Sequence, residues 1–254
     1  MINKSLNRVP EITLFFWVIK IMATTVGETA ADFLSFSLKL GLVNTSYVMS
    51  ALLVVALLVQ FKLKRYVPII YWLVVVLVSV VGTLITDNLV DNLQVSLVTI
   101  TALFSIALAA VFALWFTSEK TLSIHSIVSA KRESFYWAAI LFTFALGTAA
   151  GDLVAEHFGL GYYLSALIFA SIIAVITLAY YRFKLNAVLA FWMAYILTRP
   201  FGASIGDLLS QPVTAGGLGL GTVGTSGAFI IAIILLITHL TFQQKKQALA
   251  LITK

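Results

Sequence analysis

The chain is 254 residues long, 61% hydrophobic and only 10% charged, where a soluble domain carries roughly 25% charged residues. Its apolar stretches reach the ~20 residues a helix needs to cross a bilayer, so an integral membrane protein is expected, with the lipid bilayer as its first partner. There is no cysteine, which excludes a disulfide framework and a thiolate metal site. The net charge of +6 is spread over short clusters between apolar stretches rather than gathered in a basic domain, so no nucleic acid partner is expected.

In chain order, hydropathy predicts helices over 11–34, 44–61, 67–89, 95–117, 134–156, 161–181, 186–208 and 221–241. Lys4 and Arg8 precede the first. Lys62, Lys64 and Arg65 follow the second, and Lys120, Lys131 and Arg132 the fourth. Arg182 and Lys184 follow the sixth, and Lys245, Lys246 and Lys254 the eighth; the opposite side holds only Lys39. The positive-inside rule then places both termini in the cytoplasm of a multi-pass inner-membrane protein. Lys4 and Arg8 before an apolar run also match the start of a signal peptide. That run belongs to a unit repeated later, so it is expected to stay as a helix.

The repeat is explicit. Trp17, Trp72, Trp137 and Trp192 each follow an aromatic residue (Phe16, Tyr71, Tyr136, Phe191). Ten residues on come Gly27, Gly82, Gly147 and Gly202, and fifteen on come Asp32, Asp87, Asp152 and Asp207. Tryptophan spacings of 55, 65 and 55 divide the chain into halves offset by 120: residues 1–120 hold repeats 1 and 2, and 121–254 hold repeats 3 and 4. Each unit carries two helices, so every copy starts from the same side. The expected fold is an all-α integral membrane domain of eight helices in four parallel repeats, related by axes along the membrane normal. At 1.5 Å per residue, glycine lies ~15 Å beyond tryptophan, near the midplane, and aspartate ~22 Å beyond it.

On these features, as in the run from Trp17 to Asp32, the chain resembles a family of bacterial membrane proteins defined by a repeat of unknown function. The resemblance implies a multi-pass inner-membrane protein and no particular activity. The copies diverge after the glycine, where Glu28 stands against Thr83, Thr148 and Ala203, so the four sites are not equivalent.

Seven of the ten acidic residues fall toward the outer ends of the odd-numbered helices: Glu28, Asp32, Asp87, Asp91, Asp152, Glu156 and Asp207. Glu28/Asp32, Asp87/Asp91 and Asp152/Glu156 are spaced i,i+4, which stacks them on one helix face, and Asp207/Gln211 repeats the spacing. Stacked carboxylates need a cation, protons or solvent to offset them. They could lie in outer loops. Against that, Glu28 adjoins the midplane glycine, where a charge costs about 2.5–3.5 kcal/mol, and the aspartates recur at one register. Both favour a convergent cation site.

Lys20 and Arg199 break the repeat symmetry. Lys20 either snorkels to the inner interface or serves, with Arg199, as an internal counter-charge. Pro200 removes a backbone hydrogen bond beside Arg199 and is expected to kink the seventh helix. The glycines either allow close packing, as Gly147-xxx-Gly151 and Gly202-xxx-Gly206 suggest, or break the helices to expose carbonyls. The tryptophans are expected as inner-interface anchors.

Enzymatic signatures fail on context. Ser204 between Gly202 and Gly206 lies late in an apolar helix, far from His239. Gly219-x-Gly221-x-x-Gly224 lacks the strand of a dinucleotide site, and Thr24-Thr25-Val26-Gly27 lacks the pore helix of a potassium filter. His125, His157 and His239 are scattered; only His157, beside Glu156, could join a site. No catalytic residue and no resident cofactor are expected.

The leading expectation is a small secondary transporter or exporter of a hard divalent cation (Mn²⁺, Mg²⁺ or Ca²⁺) suited to oxygen ligands. Protons are the candidate coupling ion. Asp32, Asp87, Asp152, Asp207 and Glu28 are the candidate metal ligands, with Asp91 and Glu156 assisting. A non-transporting membrane module is the alternative, and the sequence leaves a homo-oligomer open.

Overall fold

Most helices start where the sequence supplies a partner or a pre-set backbone for the first turn. The Thr13 hydroxyl accepts from the Phe16 amide, Ser96 from Thr99, Ser129 from Arg132, and Asn186 from Val188 and Leu189. Pro68 opens its helix at the first turn, where no amide donor is needed. In the computed structural model, which describes residues 7–252 with side chains as far as Gln243, the helices are α1 (Leu14–Asp32), α2 (Leu42–Lys62), α3 (Pro68–Asp87), α4 (Leu97–Glu119), α5 (Ala130–Asp152), α6 (Gly161–Phe183), α7 (Ala187–Ser210) and α8 (Gly221–Ile252). All eight are long and apolar enough to cross a membrane, and no strand occurs among the described residues. The chain is an all-α multi-pass membrane protein. Of the basic residues used to orient it, Lys4 and Lys254 and the side chains of Lys245 and Lys246 lie outside what is described.

The odd-numbered helices form an inner ring in which α1, α3, α5, α7 and again α1 are neighbours. Between 56% and 72% of their membrane-crossing residues are buried, against 17% to 22% for the even-numbered helices. Each outer helix packs chiefly on the inner helix of the following repeat: α2 on α3, α4 on α5, α6 on α7, and α8 back on α1. The repeats interlock, and α8 closes the circle.

Glycine decides how near the inner helices come. A Cβ on Gly27 would strike Ser79, one on Gly82 would lie 2.7 Å from the Phe144 Cβ, one on Gly147 would strike Arg199, and one on Gly202 would strike Thr24. In every case the neighbour stands three residues before the glycine of the next repeat, and the fourth repeat returns to the first. Gly151 and Gly206 continue two of these seams, against Pro200 (3.7 Å) and Glu28 (3.4 Å). The helices run through all four repeat glycines unbroken, so the glycines serve packing. α7 likewise continues through Pro200.

Three of the four repeat tryptophans do not sit as interface anchors. Trp72, Trp137 and Trp192 are no more than 4% exposed because their faces turn into the ring. Each leading aromatic meets the tryptophan of the next repeat: Phe16–Trp72 at 5.7 Å, Tyr71–Trp137 at 5.5 Å, Tyr136–Trp192 at 6.2 Å and Phe191–Trp17 at 5.7 Å between ring centroids. Their indole N–H groups find acceptors inside, on the Tyr66 hydroxyl, Glu133 and the Leu122 carbonyl. The aromatic layer closes the ring at its basic end.

An N-terminal strap lies across that end. The Tyr66 amide donates to the Asn7 carbonyl (3.0 Å), the Arg8 amide donates to Ile127 (3.0 Å), and the Arg8 guanidinium pairs with fully buried Glu133 at 2.6 Å. Gln60 of α2 donates to the other oxygen of Glu133 (2.8 Å). The strap thus ties the first half of the chain to the second.

Gly82→Ala is expected to lower stability by about 1–3 kcal/mol through overpacking against Phe144 and the Ala145 backbone. Thermal unfolding of the purified protein reads this as a lower midpoint than wild type.

Candidate functional site

Above the aromatic layer the ring interior holds charges arranged in steps along the axis. Lys20 stands one turn beyond Trp17 and is fully buried. Its Nζ donates to the Tyr195 carbonyl (2.7 Å) and to the Thr198 hydroxyl, and lies 4.1 Å from the centre of the Tyr195 ring and 5.4 Å from that of Phe144. It does not snorkel to an interface: its partners lie at its own depth, on α7 and α5. Lys20 and Tyr195 share one repeat register, seven residues before the glycine, so closure of the ring brings them together.

The next step is the residue after each glycine. Arg199 of α7 donates to Glu28 Oε2 at 2.8 Å, to Thr148 at 2.7 Å and to Thr83. Thr83 in turn donates to Glu28 (3.2 Å). Three of the four repeat positions, Glu28, Thr83 and Thr148, therefore converge on one guanidinium. The fourth is Ala203, and Arg199 from the same helix occupies the space its small side chain leaves. Arg199 is fully buried, its guanidinium lies 5.6 Å from the centre of the Phe144 ring, and its Nε has no partner among the described residues.

Outward of this pair lie the four repeat aspartates. Asp207 is buried, and Asp32, Asp87 and Asp152 are half-buried. Each lies within charge–charge range of Glu28, and Asp87 and Asp207 also of Asp152 and Asp32. Gln211, at the fourth repeat's i+4 position, donates to Asp32 across the ring (3.2 Å). Acids from different inner helices thus act on one another electrostatically. Among the described residues, however, no three acidic or histidine side chains come close enough to hold a metal ion directly.

Asp91 and Glu156 do not stack under Asp87 and Asp152. In three repeats the aspartate ends the α-helix, and a π-helical turn follows: Phe33–Ser37, Asn88–Asn92 and Leu153–His157. Asp91 and Glu156 fall toward the outer ends of these turns, where the chain leaves the helix. Asp91 and Glu156 are accordingly exposed, and Glu156 accepts from the Tyr162 hydroxyl at 3.3 Å. They form an outer rim rather than part of the inner site.

Ser204 is buried on α7, and His239 pairs with Gln243 and packs against Phe15. Thr24 and Thr25 lie in regular helix, their hydroxyls bonded to the Ile21 carbonyl. A groove of about 580 Å³ opens between α1, α6 and α7 near the basic end, with Trp17, Ile21, Phe191 and Thr198 in its wall and Ser123 and His125 beside it. It holds none of the acids. It does share Thr198 with Lys20.

Thr83, Thr148, Phe144, Tyr195 and Thr198 contribute to the site although none is a conspicuous charge. Aligning the repeats on the glycine brings most of them out. The position three before it reads Thr24, Ser79, Phe144, Arg199, and the one after it reads Glu28, Thr83, Thr148, Ala203.

Four consecutive segments, residues 15–66, 70–121, 135–186 and 190–246, match the family described as Repeat of Unknown Function (DUF347). They coincide with the four structural repeats. No curated protein and no solved structure matches the chain.

Arg199→Met leaves Glu28 buried without its cation and is expected to cost about 3–5 kcal/mol. Adding Glu28→Gln should recover most of that loss. Unfolding midpoints of the single and double variants test the coupling, and an additive double variant would show that the two side chains do not depend on one another.

Proposed function

The chain belongs to the DUF347 repeat family, and we propose that it is a small secondary transporter moving a hard divalent cation along the axis of its helix ring, with protons as coupling ion. The observation that carries the reading is the convergence of Asp32, Asp87, Asp152 and Asp207, one from each inner helix, on Glu28 and its internal counter-charge Arg199. Five carboxylates around one guanidinium leave the acidic end of the axis short of positive charge, and such a cluster draws cations.

The spacing of the acids favours an ion that keeps part of its water shell. Mg²⁺ and similar hard cations dehydrate reluctantly and are often held by one or two carboxylates through water. Glu28 is the inner ligand in this reading, and Arg199 holds its place while the substrate is absent. The aromatic layer from Phe16 to Trp192 is the closed inner gate in this reading. In this reading the gate faces the cytoplasmic side of the inner membrane, which the basic clusters support through the positive-inside rule.

Reconstituted protein should carry one cation of a Mn²⁺, Mg²⁺ and Ca²⁺ panel selectively, and Asp152→Asn and Asp32→Asn should each abolish that flux. Folded protein that moves none of the three under an imposed pH gradient would transfer the reading to a non-transporting membrane module. In that case the same substitutions should alter assembly with a partner instead.

A further inference from the structure

Three buried or nearly buried cations occur among the described residues, and two of them have carboxylate partners. Arg8 pairs with Glu133 and Arg199 with Glu28. Lys20 has none: a carbonyl, a hydroxyl and two aromatic faces surround it. The one charged group that acts on it is Arg199 of α7, a like charge. Tyr195 of α7 is the titratable neighbour, and no charged group of α3, α5 or α8 reaches it among the described residues. On its own helix Glu28 lies two turns outward, ~12 Å by the helical rise.

Lys20 also occupies a particular place. Outward of it stand Arg199, Glu28 and the aspartates; inward lies the aromatic layer. Its partner Thr198 belongs to the wall of the groove between α1, α6 and α7, so the ammonium is one hydrogen bond away from a groove-lining residue. Among the described residues, no other charged side chain on the axis combines a hydrogen bond to a groove-lining residue with a position beneath the acid cluster.

We propose that Lys20 is the proton-carrying group of a cation–proton exchange, its ammonium and the substrate cation excluding one another on the axis. The inference rests on the cation-transport reading above. Two positive charges on one low-dielectric axis repel strongly. A lysine can lift that block by losing its proton, whereas an arginine at the same place cannot. In the exchange the Lys20 N–H bond breaks and its proton passes to water at the Thr198 side, leaving a neutral amine that keeps its lone pair. The cation then moves past. When it has left, the amine takes one proton from water on the acidic side, and the cycle closes with one proton carried for each passage.

The test uses the full chain in proteoliposomes with a pH-sensitive dye inside and Mn²⁺, Mg²⁺ or Ca²⁺ gradients imposed in turn. Wild type should move protons against the cation. Lys20→Met should still pass the cation but move no protons, with a rate that no longer varies with pH. Lys20→Arg, whose charge is fixed, should pass neither. Proton counterflow at the wild-type level in Lys20→Met overturns the proposal, and so does coupled transport by Lys20→Arg. The arginine variant decides alone if the methionine variant fails to fold. Wild-type cation flux without proton movement removes the proposal and leaves the transporter standing; no cation flux in wild type removes both.

Discussion

Four helices can share one axis only if something at their closest approach is missing, and here it is the Cβ of four glycines. Each glycine receives the side chain that stands three residues before the glycine of the next repeat. The contact is directional, from one repeat to its successor, and the fourth repeat hands back to the first. Outer helices and the aromatic layer obey the same handover, with α8 lying on α1 and Phe191 meeting Trp17. A single packing step, repeated four times, sets the ring's diameter, its closure and the depth at which each layer forms.

That step also determines which charges meet. Because the seam partners are Ser79, Phe144, Arg199 and Thr24, one of four similar contacts delivers a guanidinium to the axis. The position after the glycine supplies one carboxylate and two hydroxyls to receive it. A symmetric scaffold thus carries an asymmetric interior. Near-fourfold geometry holds in the apolar and aromatic layers, where shape alone matters, and breaks in the layer where charge is balanced.

Much of this could be read from the sequence. The eight helices, the repeat and the glycine and aspartate registers all follow from spacing, because a parallel repeat places equal positions at equal depth. Depth is all that spacing gives, however. It does not say which way a side chain turns, and so Trp72 and Trp137 pass for interface anchors when they face the ring. It does not show that α2 packs on α3 of the next repeat rather than on α1 of its own. Nor does it reveal the π turns at whose outer ends Asp91 and Glu156 stand exposed, since their i,i+4 spacing is that of an ordinary helix. Lys20 was ambiguous because its partners Tyr195 and Thr198 lie over 170 residues away in the chain.

That distance bears on how the protein is made. Arg199 follows Glu28 by 171 residues, so at a synthesis rate of about 5–20 residues per second the first helix waits roughly ten to thirty seconds for the cation that neutralises it. During that interval it carries Lys20 as well as Glu28, whose charge costs about 2.5–3.5 kcal/mol near the centre of a bilayer. α1 and α7 also share the lowest mean hydropathy of the eight spans, 1.3. The opening helix is therefore a weak membrane segment by itself. The buried partner of its Glu28 becomes available only when the seventh helix has been synthesised.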